Sequence, residues 1–103
     1  DVQGAMQIKK NYPEGVFIFI LPPSLTELKN RIKGRGSETE ETMARRLGEA
    51  LNEIRCIDKY DYRVINEELD VAIDRVRAII TAEQCKINDE EVKRIVDKYE
   101  EVL

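Results

Sequence analysis

At 103 residues the chain has room for one domain, and 21 Asp plus Glu against 17 Lys plus Arg give it a net charge of −4. That acidic balance argues against nonspecific binding to DNA or to an anionic membrane, both polyanions, while leaving room for a small phosphate site made of a few local arginines. No apolar stretch approaches the ~20 residues of a membrane span and no signal peptide is visible. The absence of His, with Cys56 and Cys85 far apart and outside any CxxC spacing, sets aside zinc, a His general base and the Ser/His and Cys/His nucleophile pairs.

In chain order, Asp1 to Ala5 reads as the tail of a strand turning into a helix, and Gln3 to Lys10 as that short helix, stopped near Asn11-Tyr12-Pro13 by the proline. Val16 to Leu21 is a continuous apolar run without alternation, the pattern of a strand buried on both faces in a parallel sheet. Pro22-Pro23 ends it, and Ser24-Leu25-Thr26-Glu27 has the spacing of a capping box for a helix that reaches Lys33 before Gly34-Arg35-Gly36 breaks it.

Ser37 with Glu40, or alternatively Thr39, starts the next helix, on which Met43, Leu47, Leu51 and Ile54 form one stripe. Tyr62 to Ile65 reads as a second strand, followed after Asn66 by a helix with Leu69, Ile73, Val76 and Ile80 inward. Asn88 restarts the chain as a last amphipathic helix with Val92, Ile95, Val96 and Tyr99 on its stripe. Two strands, each leading into a helix, with a long helical crossover between them, make an α/β fragment with a parallel pair and about five helices. Such a pair needs its faces and edges covered.

The groups suited to chemistry are Arg31, Arg35, Arg45 and Arg46. A guanidinium forms bidentate bonds with phosphate oxygens and keeps its charge at any relevant pH. Each reads equally as a solvated helix-face charge. Helical geometry puts Arg45 almost opposite the Met43-Leu47-Leu51 stripe, facing solvent, and Arg46 at the stripe's edge, placed to lean over a cleft. The glycines flanking Arg35 permit the large backbone rotations of a hinge. The cysteines read as two reduced, small hydrophobic residues.

Asp1-x-Gln3-Gly4, Pro22-Pro23-Ser24, Gly34-Arg35-Gly36, Arg45-Arg46 and Tyr60-Asp61-Tyr62 through Asn66 together resemble the C-terminal half of guanylate kinases, from Asp1 to about Ile80. The resemblance implies a P-loop kinase-type parallel sheet with flanking helices, and phosphoryl transfer from ATP to GMP in a cytoplasmic enzyme. It implies Mg²⁺ accompanying ATP. Residues 1–85 are then the C-terminal half of the kinase domain, with a lid at about 34–46, and 86–103 an extension helix.

By the same resemblance Arg35, Arg46 and Arg31 meet the ATP phosphates and the transferring group on lid closure, Asn66 meets the adenine, and Asp1 lies on the GMP side near the metal. Both of the last two are open to a plainer reading. Asp1 also fits an N-cap for the Gln3–Lys10 helix, and Asn66 an N-cap for a helix starting at Glu67.

The Gly-rich phosphate loop belongs to the family's other half, so the expectation is a fragment inactive alone, in which the Val16–Leu21 strand has an unpaired edge that drives self-association. The competing readings are a guanylate-kinase-like module that binds phosphopeptides without catalysis, and a helical interaction fragment with no site.

Overall fold

The long aliphatic and aromatic runs become strands and the 3.6-residue stripes become helices, as propensity and patterning require. A computed structural model describes residues 1–34 and 39–103. Arg35, Gly36 and Ser37 lie outside the described residues, and with them the Ser37 cap and the centre of the expected lid.

The elements are α1 (Val2–Asn11), β1 (Ile18–Leu21), α2 (Leu25–Lys33), α3 (Glu40–Ile54), a 3₁₀ turn (Ile57–Lys59), β2 (Tyr62–Ile65), α4 (Leu69–Gln84) and α5 (Asp89–Glu100). β1 and β2 are parallel, with Ile18 opposite Tyr62 and Leu21 opposite Ile65. This is the α/β arrangement the sequence implied, two parallel strands with α2 and α3 in the crossover. By its contacts the chain divides into two compact units, residues 1–72 and 73–103.

In the first unit β1 begins two residues later than the apolar run. Phe17 is still held, because its carbonyl accepts the Asp61 and Tyr62 N–H groups at 2.9 and 3.2 Å and its N–H donates to the Asp61 carboxylate at 2.8 Å. The Asp61 side chain therefore takes the place of a ladder bond ahead of the strand. The Val16–Leu21 run is not buried on both faces as expected: Ile20 stays 50% exposed. Burial of a strand depends on what covers it, and β2 is the only strand paired with β1 among the described residues. Among the described residues the buried apolar side chains there are Val64 of β2, 2% exposed, and Ala72, 7% exposed.

α1 turns Val2, Ala5, Met6 and Lys9 inward at helical spacing. Lys9 reaches the carbonyl of Lys59 at 2.6 Å and lies 5.7 Å from the centre of the Phe17 ring, tying α1 to the 3₁₀ turn and the start of β1. Phe19 and Tyr60 meet edge to face at 4.9 Å.

α4 corrects the inner face read from its sequence. Leu69 is 68% exposed and Ile73 and Ile80 are exposed too, whereas Ala72, Val76, Ile79 and Glu83 are the covered positions. Apolar residues stand all round this helix, so periodicity alone did not single out one stripe.

In the second unit α5 starts as expected, Asn88 accepting from the Glu91 N–H at 2.9 Å. Its apolar stripe is exposed, Tyr99 to 73%. Lys93–Asp97 at 2.7 Å and Arg94–Glu91 at 3.7 Å are pairs along the same helix.

Candidate functional site

Parallel α/β sheets place ligands beyond the carboxyl ends of their strands, and there the chain makes a connected polar cluster. β1 runs into Pro22-Pro23, whose fixed φ and missing N–H groups end the strand. Ser24 then caps α2, its hydroxyl accepting from the Glu27 N–H at 3.0 Å. The reciprocal half of the capping box is replaced: the Glu27 carboxylate turns along the helix to Arg31, Oε1 to Nε 3.4 Å.

Arg31 spans the end of the sheet, Nη2 donating to the Asn66 carbonyl at 2.9 Å. Asn66 is held from its other side as well, its N–H donating to the Leu21 carbonyl at 2.8 Å. Of the two readings of Asn66, the cap fails, because α4 begins only at Leu69 and it is the Glu68 carbonyl that accepts from Ala72 N–H, at 3.0 Å.

Asp1 is the N-cap of α1, its Oδ1 accepting from the Gly4 N–H at 2.7 Å. A Cβ at position 4 would lie 2.9 Å from that oxygen, so the Asp1-x-x-Gly4 spacing is what lets the carboxylate close on the helix. Asp1 also borders two clefts of the first unit. One, of about 680 Å³, is lined by Asp1, Gln3, Lys10, Glu49, Glu53 and Lys59 among others. The other, of about 180 Å³, lies against Ile18, Phe19, Ile20 and Tyr60.

Neither of these clefts is lined by Arg31, Asn66 or Arg46. Burial, and less so the nearby Glu53 and Cys56, push the Tyr60 phenol above its ordinary range.

Thr39, the alternative cap, starts α3. It accepts from Thr42 N–H at 3.1 Å while the Thr42 hydroxyl accepts from Thr39 N–H at 2.9 Å, a reciprocal box with threonine in the usual Glu position. α3 contacts α2. Arg45 and Arg46 are both exposed on it. The structure thus brings together Arg31 and Asn66, places Asp1 in a different cluster, carries Arg46 on the helix beside α2, and leaves Arg35 outside the described residues.

Sequence reasoning missed Glu27 as a partner of Arg31, though their i, i+4 spacing was legible. It also missed Asp61, whose role depends on where Phe17 lies in space. Among the described residues no group of three His, Cys, Asp or Glu side chains is placed to hold a metal ion.

The sequence model of the family described as guanylate kinase matches residues 1–83. Among curated relatives, the guanylate kinase of Halalkalibacterium halodurans is 48% identical over 103 residues, all of this chain and 48% of that protein. The guanylate kinase of Oceanobacillus iheyensis is 50% identical over the same length, 48% of that protein. The Bacillus cereus (strain ATCC 14579) guanylate kinase is 55% identical over 86 residues, 84% of this chain and 42% of that protein. The chain spans about half the length of the curated relatives it matches.

Proposed function

The chain belongs to the guanylate kinase family, and on that premise we propose that it supplies the lid, part of the adenine contact and the edge of the GMP side of a site that transfers a phosphoryl group from ATP to GMP. The observation that carries this reading is the Arg31–Asn66 bond, 2.9 Å, at the carboxyl ends of the two parallel strands.

Phosphoryl transfer asks a protein for positioning and charge neutralisation more than for covalent chemistry, which suits a chain without His. Arg35 and Arg46 are assigned to the phosphates. Arg31, with part of its guanidinium engaged by Glu27 and Asn66, offers its remaining N–H groups to the same anion. Asn66 is assigned to the adenine and Asp1 to the GMP side.

Bound with ATP, Mg²⁺ would supply charge neutralisation at the phosphates. Magnesium keeps several waters and takes few protein ligands, so Asp1 is the residue of this chain that would stand near it. Oδ1 of Asp1 accepts from the Gly4 N–H, and the carboxylate would hold a magnesium-bound water on the GMP side. The reaction is assigned to the cytoplasm; among the described residues no helix is long and apolar enough to cross a membrane. Residues 86–103 are assigned no part in the chemistry.

No GxxxxGK[ST] run occurs in the 103 residues. The polypeptide by itself is therefore expected to lack GMP-dependent ADP formation, because nothing in it cradles the β- and γ-phosphates by backbone N–H groups and a loop Lys. Mixing it with the N-terminal half of the H. halodurans relative is expected to give activity, read by coupled ADP release. Turnover by the chain alone, or silence from a mixture shown by sedimentation to associate, overturns the proposal.

The edge of β1 that is not paired with β2 is the proposed self-association surface in the absence of such a partner. Its check is sedimentation across a concentration series, where a monomer up to ~100 µM with cooperative unfolding sinks it.

A further inference from the structure

The cluster at the strand ends has a member that neither the resemblance nor the family match assigns a role. We infer that Glu27 is a positioning residue for nucleotide binding, orienting the Arg31 guanidinium so that it fixes the Asn66 peptide at the mouth of the sheet. This rests on the phosphoryl-transfer reading above and deepens it.

The geometry is a relay. Glu27 leads from the first turn of α2 to Arg31 in its last turn, Oε1 to Nε 3.4 Å. Arg31 leads from α2 to the end of β2, Nη2 to the Asn66 carbonyl 2.9 Å. The Asn66 N–H closes the path on the Leu21 carbonyl at 2.8 Å, the last residue of β1. The peptide groups flanking Asn66 are thus bonded on both sides, and its side chain is carried by a backbone with little freedom.

A long guanidinium side chain loses substantial rotamer freedom when ordered, and the Glu27 contact selects one of its orientations before any ligand arrives. Nε is engaged by Glu27 and one edge of the fork by Asn66, which leaves the outer N–H groups for an anion. Glu27 and Arg31 side chains are 46% and 38% exposed, so the pair is partly screened and its effect is modest.

The test uses the ¹⁵N-labelled 103-residue chain mixed with the unlabelled N-terminal half of the H. halodurans relative, ATP as the probe, and the variants Glu27→Ala, Glu27→Gln and Arg31→Lys. In the unsubstituted chain the Arg31 Nε–H signal is expected to be resolved, and ATP to shift it together with the Asn66 amide and side-chain signals. In Glu27→Ala the Arg31 signal broadens into solvent exchange, Asn66 amide exchange speeds up, and the ATP Kd rises about two- to five-fold, as an exposed ion pair allows.

Glu27→Gln, which keeps the side chain's shape but removes its charge, is expected to behave like Glu27→Ala, because the contact is an ion pair. Arg31→Lys, without the fork, loses both the Asn66 protection and ATP binding by a larger factor.

The proposal is overturned if ATP shifts Arg31 and Asn66 with equal Kd in the unsubstituted chain and Glu27→Ala. It is overturned also if the Nε–H signal is unchanged by that substitution. A chain whose Arg31 and Asn66 signals respond to Glu27→Ala, but none of whose signals respond to ATP, overturns the nucleotide reading itself and with it the role in binding.

Discussion

Residues 1–72 and residues 73–103 are built on different principles. In the first unit, side chains bridge residues far apart in sequence: Lys9 to Lys59, Phe17 to Asp61, Arg31 to Asn66. In the second, the side-chain bonds described are local: the Asn88 cap and the Lys93–Asp97 and Glu91–Arg94 pairs, each within one turn of helix. Local bonds of this kind are worth tenths of a kcal/mol to about one each. Long-range bonds also fix where elements meet. Every residue assigned to the nucleotide site, Asp1, Arg31, Arg35, Arg46 and Asn66, falls in the first stretch. Recognition of a ligand needs groups that the chain brings together from a distance, and among the bonds described it is the part organised by a sheet that does so.

The largest expected effect sharpens the contrast at the level of chemistry. With activity restored by the relative's N-terminal half, Arg35→Ala and Arg46→Ala are each expected to lower kcat by about 10²–10³, the cost of one donor to developing charge. Arg45→Ala is expected to behave almost like the unsubstituted chain. Equal damage from Arg45→Ala and Arg46→Ala would show that the helical-face assignment on α3 is mistaken.

Next comes the core. Val64→Ala removes methyl groups from the most buried side chain, and is expected to cost about 2 kcal/mol in urea unfolding. Val96→Ala on the exposed stripe of α5 is expected to stay within about 0.5 kcal/mol. A Val96 effect as large as that of Val64 would break the distinction between the two stretches, revealing a covered α5 in solution.

Asp61→Ala tests whether a single long-range polar contact organises the entry to the strands. Losing the bond to Phe17 N–H is expected to cost about 1 kcal/mol, with faster amide exchange at Phe17 and at Tyr62. A change confined to Asp61 itself would mean that the β1–β2 pairing sets this geometry unaided.

The smallest effect is one of pH. The folded-state pKa of Tyr60 is raised, chiefly by burial and then by Glu53 and Cys56. The raised value favours the neutral phenol, so its contribution is fully present below the unfolded-state value near 10 and is lost as pH rises through the folded-state value. Between about pH 9 and about pH 11 the unsubstituted chain should therefore lose more stability than Tyr60→Phe. Parallel loss in the two, followed by denaturant midpoint, would show that Tyr60 is not desolvated.

Some elements were legible because their causes are local. Ser24 and Asn88 carry hydroxyl and amide oxygens at the spacing of helix caps. Pro13 and Pro22-Pro23 interrupt the chain where φ and the missing N–H require it, and Tyr62–Ile65 shows β-forming residues bounded by turn formers. Threonine served as well as glutamate in the second capping box, which explains why Thr39 prevailed as the start of α3 without the expected Glu.

The stripe of α4 was not legible. With Leu69, Val71, Ala72, Ile73, Val76, Ile79 and Ile80 spread round the helix, only the surroundings of the folded chain select Ala72, Val76 and Ile79 as the covered ones.

The candidate site divides in the same way. The residue types, arginines and carboxylates with no histidine, and their order along the chain were properties of the sequence, and it was their resemblance to guanylate kinases that implied phosphoryl-transfer chemistry. Asp1 as a cap on Gly4 was readable too, since the contact spans three residues.

That Asn66 is clasped by Arg31 rather than capping a helix was decided by tertiary structure alone. The two are 35 residues apart, and they meet at the strand ends, where the parallel register of β1 and β2 sets Leu21 against Ile65. Sequence fixes which groups are present and which turns they favour. Which carbonyl a guanidinium finds is a matter of closing a loop, and that depends on the free energy of every element lying between them.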